Sequence, residues 1–326
     1  MEKIRWGILG TGRIAGDFAR GLTAVDDAEL VAVGSRTAES ANTFADKFSV
    51  PTRHASYEAL ATDPNVDIVY VATPHSLHKE NTILCLEGGR AVLCEKPFAI
   101  NTGEAEEMIA ASRRTGRFLM EAMWTHCLPH MQEIARLIAD GAIGDIQVIQ
   151  ADFCFRSKVN PASRLYRPEL GGGALLDVGV YPVALAYRFL GQPDAVRTWA
   201  HLGVTGVDEN AGMIFGYNSG ALAMMTTSVR ANTHHTARIS GSAGEIIIHD
   251  HWWGPSSFTL RRDGHEAQEI HPESVGNGWN YEAIEAGRCL RAGLTESPVV
   301  PHADTLAVMR LLDGLRAEWG LRYPME

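Results

Sequence analysis

The chain has little of what would tie it to a disulfide framework, a membrane or a nucleic acid. Its 326 residues hold five cysteines: Cys85, Cys94, Cys127, Cys154 and Cys289. They are odd in number, scattered and never spaced as CxxC, which argues for reduced thiols in a cytoplasmic setting and against a zinc ribbon. No apolar run reads as long enough to span a bilayer, and the first strand is expected almost at once, from Ile4, with no leader before it. Basic residues are in deficit. Twenty-nine Lys and Arg against 39 Asp and Glu give a net charge of −10, which speaks against nucleic acid or an anionic membrane as partner. There is no fixed-period repeat and no low-complexity tract. What remains is an ordinary globular composition, 45% hydrophobic and 21% charged, at a length that suggests roughly two domains.

The first half alternates strand and helix, as a parallel sheet requires. Ile4 to Leu9 reads as a strand and runs straight into Gly10-Thr11-Gly12-Arg13-Ile14-Ala15. A helix follows, with Ile14, Phe18 and Leu22 spaced at four. Gly10 permits the tight turn, Gly12 lets backbone approach a pyrophosphate, and Ala15 is small enough for helix–strand packing. A lone GxGxxA is a weak signal, but strand, turn and helix here supply its context. The next strand, Glu29 to Gly34, ends in Ser35-Arg36-Thr37. An acid at that place would bind the ribose 2′-hydroxyl of NAD, and none is present. A guanidinium with two hydroxyls suits a 2′-phosphate, so NADP is expected over NAD, the weaker alternative. Thr37 also serves as a cap for a helix from Ala38.

Val66 to Ala72 is the next strand, and Thr73-Pro74-His75-Ser76-Leu77-His78 leads from it into an amphipathic helix. Thr73, Pro74 and His78 fall beside the expected cofactor. His75 and His78 lack a third partner at ligand spacing, and no metal is expected. The apolar run Arg90 to Cys94 delivers Glu95-Lys96-Pro97 to the end of a buried strand, the crevice where open α/β sheets bind ligands. A helix over 102–115 and a strand over 117–121 complete this half.

After residue 123 the pattern changes, and a second domain is expected over 124–326. It opens with a helix over 128–140 and a strand over 146–155. Short strands then run from 195 to 270, including a hairpin around Asn218-Ser219-Gly220. Two helices, 281–292 and 302–319, close the chain. The fold class is therefore α/β: a doubly wound Rossmann sheet, then an α+β domain with a large, mostly antiparallel open sheet. Met213, Phe215, Met224 and Met225 face either that domain's own helices or a second subunit. In Gly171 to Pro182, three glycines permit a close approach of backbone to a ligand or a helix. Asp177 and Tyr181 are four apart and share a face on a helical turn, with Pro182 free to kink or start the helix. A buried Asp–Tyr pair that only holds the fold is an equal reading of that spacing.

Together Gly10-Thr11-Gly12, Glu95-Lys96-Pro97 and the segment holding Asp177 and Tyr181 resemble the glucose-fructose oxidoreductase / inositol dehydrogenase / MocA family. Glu121 to Thr125, Ser163-Arg164-Leu165, Gly171 to Pro182 and Gly320 to Pro324 are similar to its branch of dimeric dihydrodiol dehydrogenases and NADP-dependent D-xylose dehydrogenases. The resemblance spans essentially the whole chain. It implies an active site between the two domains, catalytic roles for Lys96, Asp177 and Tyr181, and homodimers formed through the open sheet. It also implies a frequent cis bond at Lys96-Pro97. The branch often reads Trp-Thr-Arg where this chain has Trp124-Thr125-His126, which puts inherited substrate specificity in question.

The expected reaction moves a hydride between a nicotinamide and an alcohol or hemiacetal carbon. Its substrate would be a sugar, an aldose such as D-xylose, or a vicinal cyclic diol. Tyr181 is the expected proton acceptor. A phenol titrates near ~10, so acting at neutral pH needs about 4 kcal/mol of differential stabilisation. A neighbouring cation moves an acid by ~1–3 pH units, and Lys96 would supply it. Lys96 as the base itself, with Tyr181 only positioning, is the other arrangement. Trp124, Phe155 and Trp279 are candidate apolar walls for the substrate, and Arg156 a polar contact. Two other classes fit the same fold: a non-catalytic nucleotide-binding sensor, and an enzyme with a permanently held cofactor.

Overall fold

The computed structural model describes residues 2–326. In chain order the strands are β1 (Ile4–Leu9), β2 (Ala28–Gly34), β3 (Thr52–His54), β4 (Ile68–Val71), β5 (Ala91–Glu95), β6 (Leu119–Ala122), β7 (Ile146–Cys154), β8 (Ala195–Leu202), β9 (Asp208–Gly216), β10 (Leu222–Ser228), β11 (Ala237–Gly241), β12 (Gly244–Ile248), β13 (Phe258–Arg262) and β14 (Gln268–Ile270). The helices are α1 (Arg13–Leu22), α2 (Ala38–Phe48), α3 (Tyr57–Ala61), α4 (His78–Glu87), α5 (Thr102–Thr115), α6 (Pro129–Ala139), α7 (Val180–Leu190), α8 (Trp279–Arg291) and α9 (His302–Trp319).

Two compact units form. The first joins 1–127 to 275–306, so α8 and the first turn of α9 return to it; a linear division at residue 123 does not express that return. Its sheet is wholly parallel, in the order β3-β2-β1-β4-β5-β6. β4 and β5 are buried at every residue, as strands covered on both faces must be. The short β3 and α3 lie between two longer strands and carry little hydrophobic periodicity of their own. Helix starts follow local chemistry. Thr37, Ser56 and Asn101 cap α2, α3 and α5 by accepting from the N–H three residues on. α4 departs from the expected amphipathic pattern, because its buried face includes His78, Asn81 and Thr82 beside Cys85 and Leu86.

The second unit holds 128–274 and 307–326. Its eight strands run β14-β13-β12-β11-β7-β10-β9-β8, antiparallel except where β10 lies parallel to β7. β8 alternates between exposed and half-buried residues, the mark of a sheet with one open face. Met213, Phe215 and Met225 are buried, so three of the four residues that could have faced a second subunit face inward instead. On the strands of this sheet, among the described residues, Trp199, Ile214 and Leu222 are the large apolar side chains left exposed, Trp199 at 70%. The stretch Pro168–Leu190 is, against expectation, long and apolar enough to cross a membrane; 83% of the 18-residue window that meets this test is buried inside the structure, as a core helix is.

Candidate active site

In the first unit the glycine turn is built as its sequence requires. Gly10 has φ +108°, and a Cβ there would lie 2.8 Å from the Ala72 carbonyl oxygen. Gly12 stands exposed at the N-cap of α1, and a Cβ there would meet nothing within 4 Å. The fold therefore does not need a glycine at 12, which leaves a ligand as the reason for open space. No side chain caps α1, so its first N–H groups and positive end face outward. A groove of about 670 Å³ lies alongside, lined by Gly12, Arg13, Arg20, Glu39, Ser40 and Lys47. Its three cations outnumber its one acid, which suits a phosphate. Thr11 and Ile14 are half-buried on either side of this opening.

At the end of β2, Ser35 is buried with its N–H on the His54 carbonyl, while Arg36 and Thr37 are exposed. Burial raises the pKa of the Tyr57 hydroxyl of α3, and the Arg36 charge lies near enough to oppose that rise, a proximity no sequence pattern announced. The expected capping role of Thr37 holds, with Ser40 N–H at 3.2 Å.

Lys96 is half-buried beyond β5 on a turn with a cis Lys96-Pro97 bond. Two residues fix that turn. The Glu95 carboxylate accepts from the Tyr70 hydroxyl and, at 3.1 Å, from the Lys96 N–H. His78 is wholly buried, with Nδ1 2.8 Å from the Pro97 carbonyl oxygen and Nε2 3.0 Å from that of Thr73. Burial keeps the ring neutral, drawing its pKa down to about 4, so one of these contacts is a hydrogen bond and the other a close polar approach. His78 thus holds the loops after β4 and β5 rather than meeting a cofactor, and Glu95 is likewise turned inward. Thr73 is buried too, accepting from Asn81 at 3.2 Å, with Pro74 half-buried beside it.

Behind the turn lies an acidic interior. Burial pushes Glu121 up to about 7, although Thr305 donates to it at 2.8 Å and the Lys96 charge pulls the other way. Glu282, on α8, is fully buried, and neither of its carboxylate oxygens has a hydrogen-bond partner among the described residues. Burial, and then Glu95, raise its pKa well above the usual range, so it is held as a neutral acid. Trp124 and Trp279 stack at 4.2 Å and 11° in this unit, bringing together two expected substrate residues.

In the second unit Asp177 sits in a π turn, Leu175–Gly179, that continues into α7. Pro182 has no N–H for the usual bond, and the turn before it widens, Val180 N–H reaching Leu175 O. Asp177 accepts from Arg164 at 2.7 Å, a partner the sequence reading did not name. The glycines serve the fold. A Cβ on Gly173 would come within 2.2 Å of Asp208, whose carboxylate accepts the Leu175 N–H at 2.6 Å. A Cβ on Gly172 would strike the 164–167 backbone. The Tyr323 hydroxyl donates to the Gly172 carbonyl at 2.7 Å, which explains why the terminal motif accompanies this segment.

Tyr181 is buried with 7% of its surface exposed. Its neighbour is Phe153, at 5.3 Å between ring centres, and Phe153 stacks on Trp253 at 3.4 Å and 12°. These rings were missed in the sequence; the Trp252-Trp253 doublet was the available signal. Phe155 instead packs on the small core of Leu165, Tyr166, Ala174, Val207 and Val229. Arg156 is exposed, with its N–H on Asn232 at 2.8 Å.

Comparison with known proteins shows the family and the fold. The oxidoreductase family with NAD-binding Rossmann fold, GFO/IDH/MocA, matches residues 4–123, and the GFO/IDH/MocA C-terminal domain matches 131–247. Trans-1,2-dihydrobenzene-1,2-diol dehydrogenase of Mus musculus is 36% identical, over 99% of each chain. That of Xenopus laevis is 37% identical, over 98% of this chain and 99% of its own. Among solved structures, the aldose-aldose oxidoreductase of Caulobacter crescentus complexed with glycerol superposes with a TM-score of 0.87 at 26% identity, covering 97% of each chain. A 3-ketoreductase from Actinomadura kijaniata, with NADP and TDP-benzene, superposes with a TM-score of 0.84 at 28% identity, covering 97% of this chain and 98% of its own.

Proposed function

This chain belongs to the GFO/IDH/MocA family of oxidoreductases, and we propose from that premise that it is an NADP-dependent dehydrogenase. It moves a hydride between the nicotinamide and the carbinol carbon of a vicinal cyclic diol or a sugar. The observation that carries this reading is Lys96, delivered by a buried strand to a turn fixed by His78 and Glu95. Such a cation, on a rigid strand end, is what a developing alkoxide needs. When bound, NADP accepts or returns the hydride. The glycine turn fits its pyrophosphate, and the missing acid after β2 together with Arg36 favours the 2′-phosphate.

Tyr181 takes the proton of the substrate hydroxyl in oxidation and gives it back in reduction. Asp177, held by Arg164, orients the substrate hydroxyl. Trp124 on Trp279, and Phe153 on Trp253, offer flat apolar faces to a ring substrate. The names of the dihydrodiol dehydrogenases make trans-cyclic diols the first substrates to try.

The assay is NADPH formation from NADP, with NAD in parallel, against trans-cyclic diols and aldoses. Turnover on one of these classes, faster with NADP, is expected. Tight NADPH binding with no turnover on any of them would overturn the reading.

The exposed face with Trp199, Ile214 and Leu222 is the surface through which two copies pair. A homodimer by light scattering, lost in Trp199→Glu, is expected; a wild-type monomer at assay concentration refutes the pairing. The buried cysteines, none bonded to another among the described residues, fit a reducing compartment such as the cytoplasm.

A further inference from the structure

His235 precedes β11, and Asp250 and His251 follow β12. β11 and β12 pair antiparallel with Ala237 opposite Ile248. Two residues beyond that pair, His235 and Asp250 therefore come together where the hairpin opens. Nothing in the linear spacing of 235, 250 and 251 announces this; the pairing register creates it.

Both histidines have left-handed backbones, His235 at φ +56° and His251 at +60°. Among the described residues Ser49 is the one other non-glycine residue there, so two of three such residues meet at one point. Backbone strain of this kind persists where the surroundings over-determine it, and it clusters at functional sites.

The ring of His235 is set for one further role. Its Nε2 is hydrogen-bonded to the Cys154 carbonyl, and a carbonyl only accepts, so Nε2 carries the proton. In the neutral ring Nδ1 is then a bare lone pair, and it faces Asp250 Oδ1 at 3.7 Å. His251 Nδ1 lies 3.2 Å from the same oxygen. Asp250 Oδ1 also accepts the His251 backbone N–H at 2.8 Å, and a cation between this oxygen and the His235 Nδ1 lone pair would satisfy both. A histidine that spends one N–H on a backbone carbonyl and offers the other nitrogen is the usual second-sphere pattern of a metal ligand.

We propose that His235, Asp250 and His251 form a binding site for a divalent transition metal, with zinc the cation their donors suit. Their ligand atoms lie within 4.8 Å of one another. Tetrahedral ligands at ~2.1 Å from zinc stand about 3.4 Å apart, so only a small closure is needed. Two imidazoles and one carboxylate leave a coordination position to water and match zinc better than calcium or magnesium. Asp250 and His251 are each 64% exposed in their side chains, so the site opens to solvent and loads without unfolding. The metal would tie the approach to β11 to the turn after β12, fastening the loop that carries Trp253. That ring lies 4.8 Å from His235 and 5.4 Å from His251.

The test is calorimetric titration of zinc chloride into EDTA-treated, dialysed full-length protein near pH 7.5, with cobalt as the spectroscopic probe. One equivalent of zinc is expected, together with tetrahedral cobalt absorption and a rise in melting temperature. His251→Ala and Asp250→Asn alter exposed side chains, and each is expected to weaken binding at least ~tenfold. Zinc uptake and melting shift equal to wild type in both variants would place the metal elsewhere and overturn the proposal. So would no uptake by the wild type.

Discussion

Lys96 and Tyr181 are placed by opposite means. The interior of the first unit near Lys96 is acidic: Glu95, Glu121 and Glu282 are all buried, and burial raises the last two toward neutrality. Tyr181, in the second unit, is placed against aromatic rings, Phe153 backed by Trp253. The first arrangement holds a cation by charge and hydrogen bonds. The second holds a phenol by shape and exclusion of water. Polar fixation sets a group's charge and angle, and its cost is buried acids that must stay protonated or be paired. Aromatic fixation sets the position of the ring and keeps water from its flat faces.

The largest expected effects come from removing each group without its frame. Tyr181→Phe keeps the ring contact with Phe153 and deletes the proton carrier. Turnover is expected to fall by about 10²–10⁴, with NADPH affinity, read by fluorescence, close to wild type. Lys96→Met is expected to reduce turnover by a similar factor and also to disturb the acidic interior, visible as a changed melting temperature. If Tyr181→Phe keeps full turnover while Lys96→Met abolishes it, the proton passes through Lys96, and the aromatic wall only positions.

A smaller effect separates the cofactors. Arg36 leaves β2 exposed and reaches Tyr57. Arg36→Ala removes a charge-assisted bond of about 1.5–3 kcal/mol, so NADP affinity should drop roughly 10- to 100-fold. NAD affinity should hardly move. Equal losses for both would mean that Arg36 serves only Tyr57 and α3.

Most of the first unit could be read in the chain because its signals are local. The glycine turn, the Thr37 cap and the buried runs of β4 and β5 are written in consecutive residues. The 102–115 helix was legible to the residue for the same reason. What escaped depends on residues distant in sequence. The return of α8, with its buried Glu282, cannot be inferred from a polar position on an otherwise amphipathic helix. The exchange of Phe155 for Phe153 turns on where β7 ends, since Phe153 lies within the strand and Phe155 just beyond it. Gly172 and Gly173 make room for the 164–167 backbone and Asp208 and not for a ligand, which takes a register to see. His78 looked like a ligand contact because it stands at a strand end; its burial shows that it braces two loops.

The smallest expected effect tests the cost of polar fixation through pH. Glu121 titrates near 4.5 in an unfolded chain and about 7 in the fold. Below ~4.5 it is protonated in both states, and it contributes no pH dependence. Between ~4.5 and ~7 the folded state holds a proton that the unfolded state has lost, so stability falls as pH rises. Above ~7 the loss is complete, at most about 3 kcal/mol and less after relaxation. Glu121→Gln removes this dependence and keeps an oxygen for Thr305. The wild type should therefore lose more melting temperature than the variant between pH 5 and pH 8. Asp208 in the second unit, also raised to about 7 by burial, bears on the same window in the same direction. Asp208→Asn should flatten the profile too, since the sign depends on burial of an acid and not on which unit holds it. Melting curves of wild type and Glu121→Gln that stay parallel across this range would mean that Glu121 is ionised in the fold. The Lys96 ammonium would then have a full negative partner, and the acidic interior would fix that cation by direct charge pairing, without a buried protonated acid at 121.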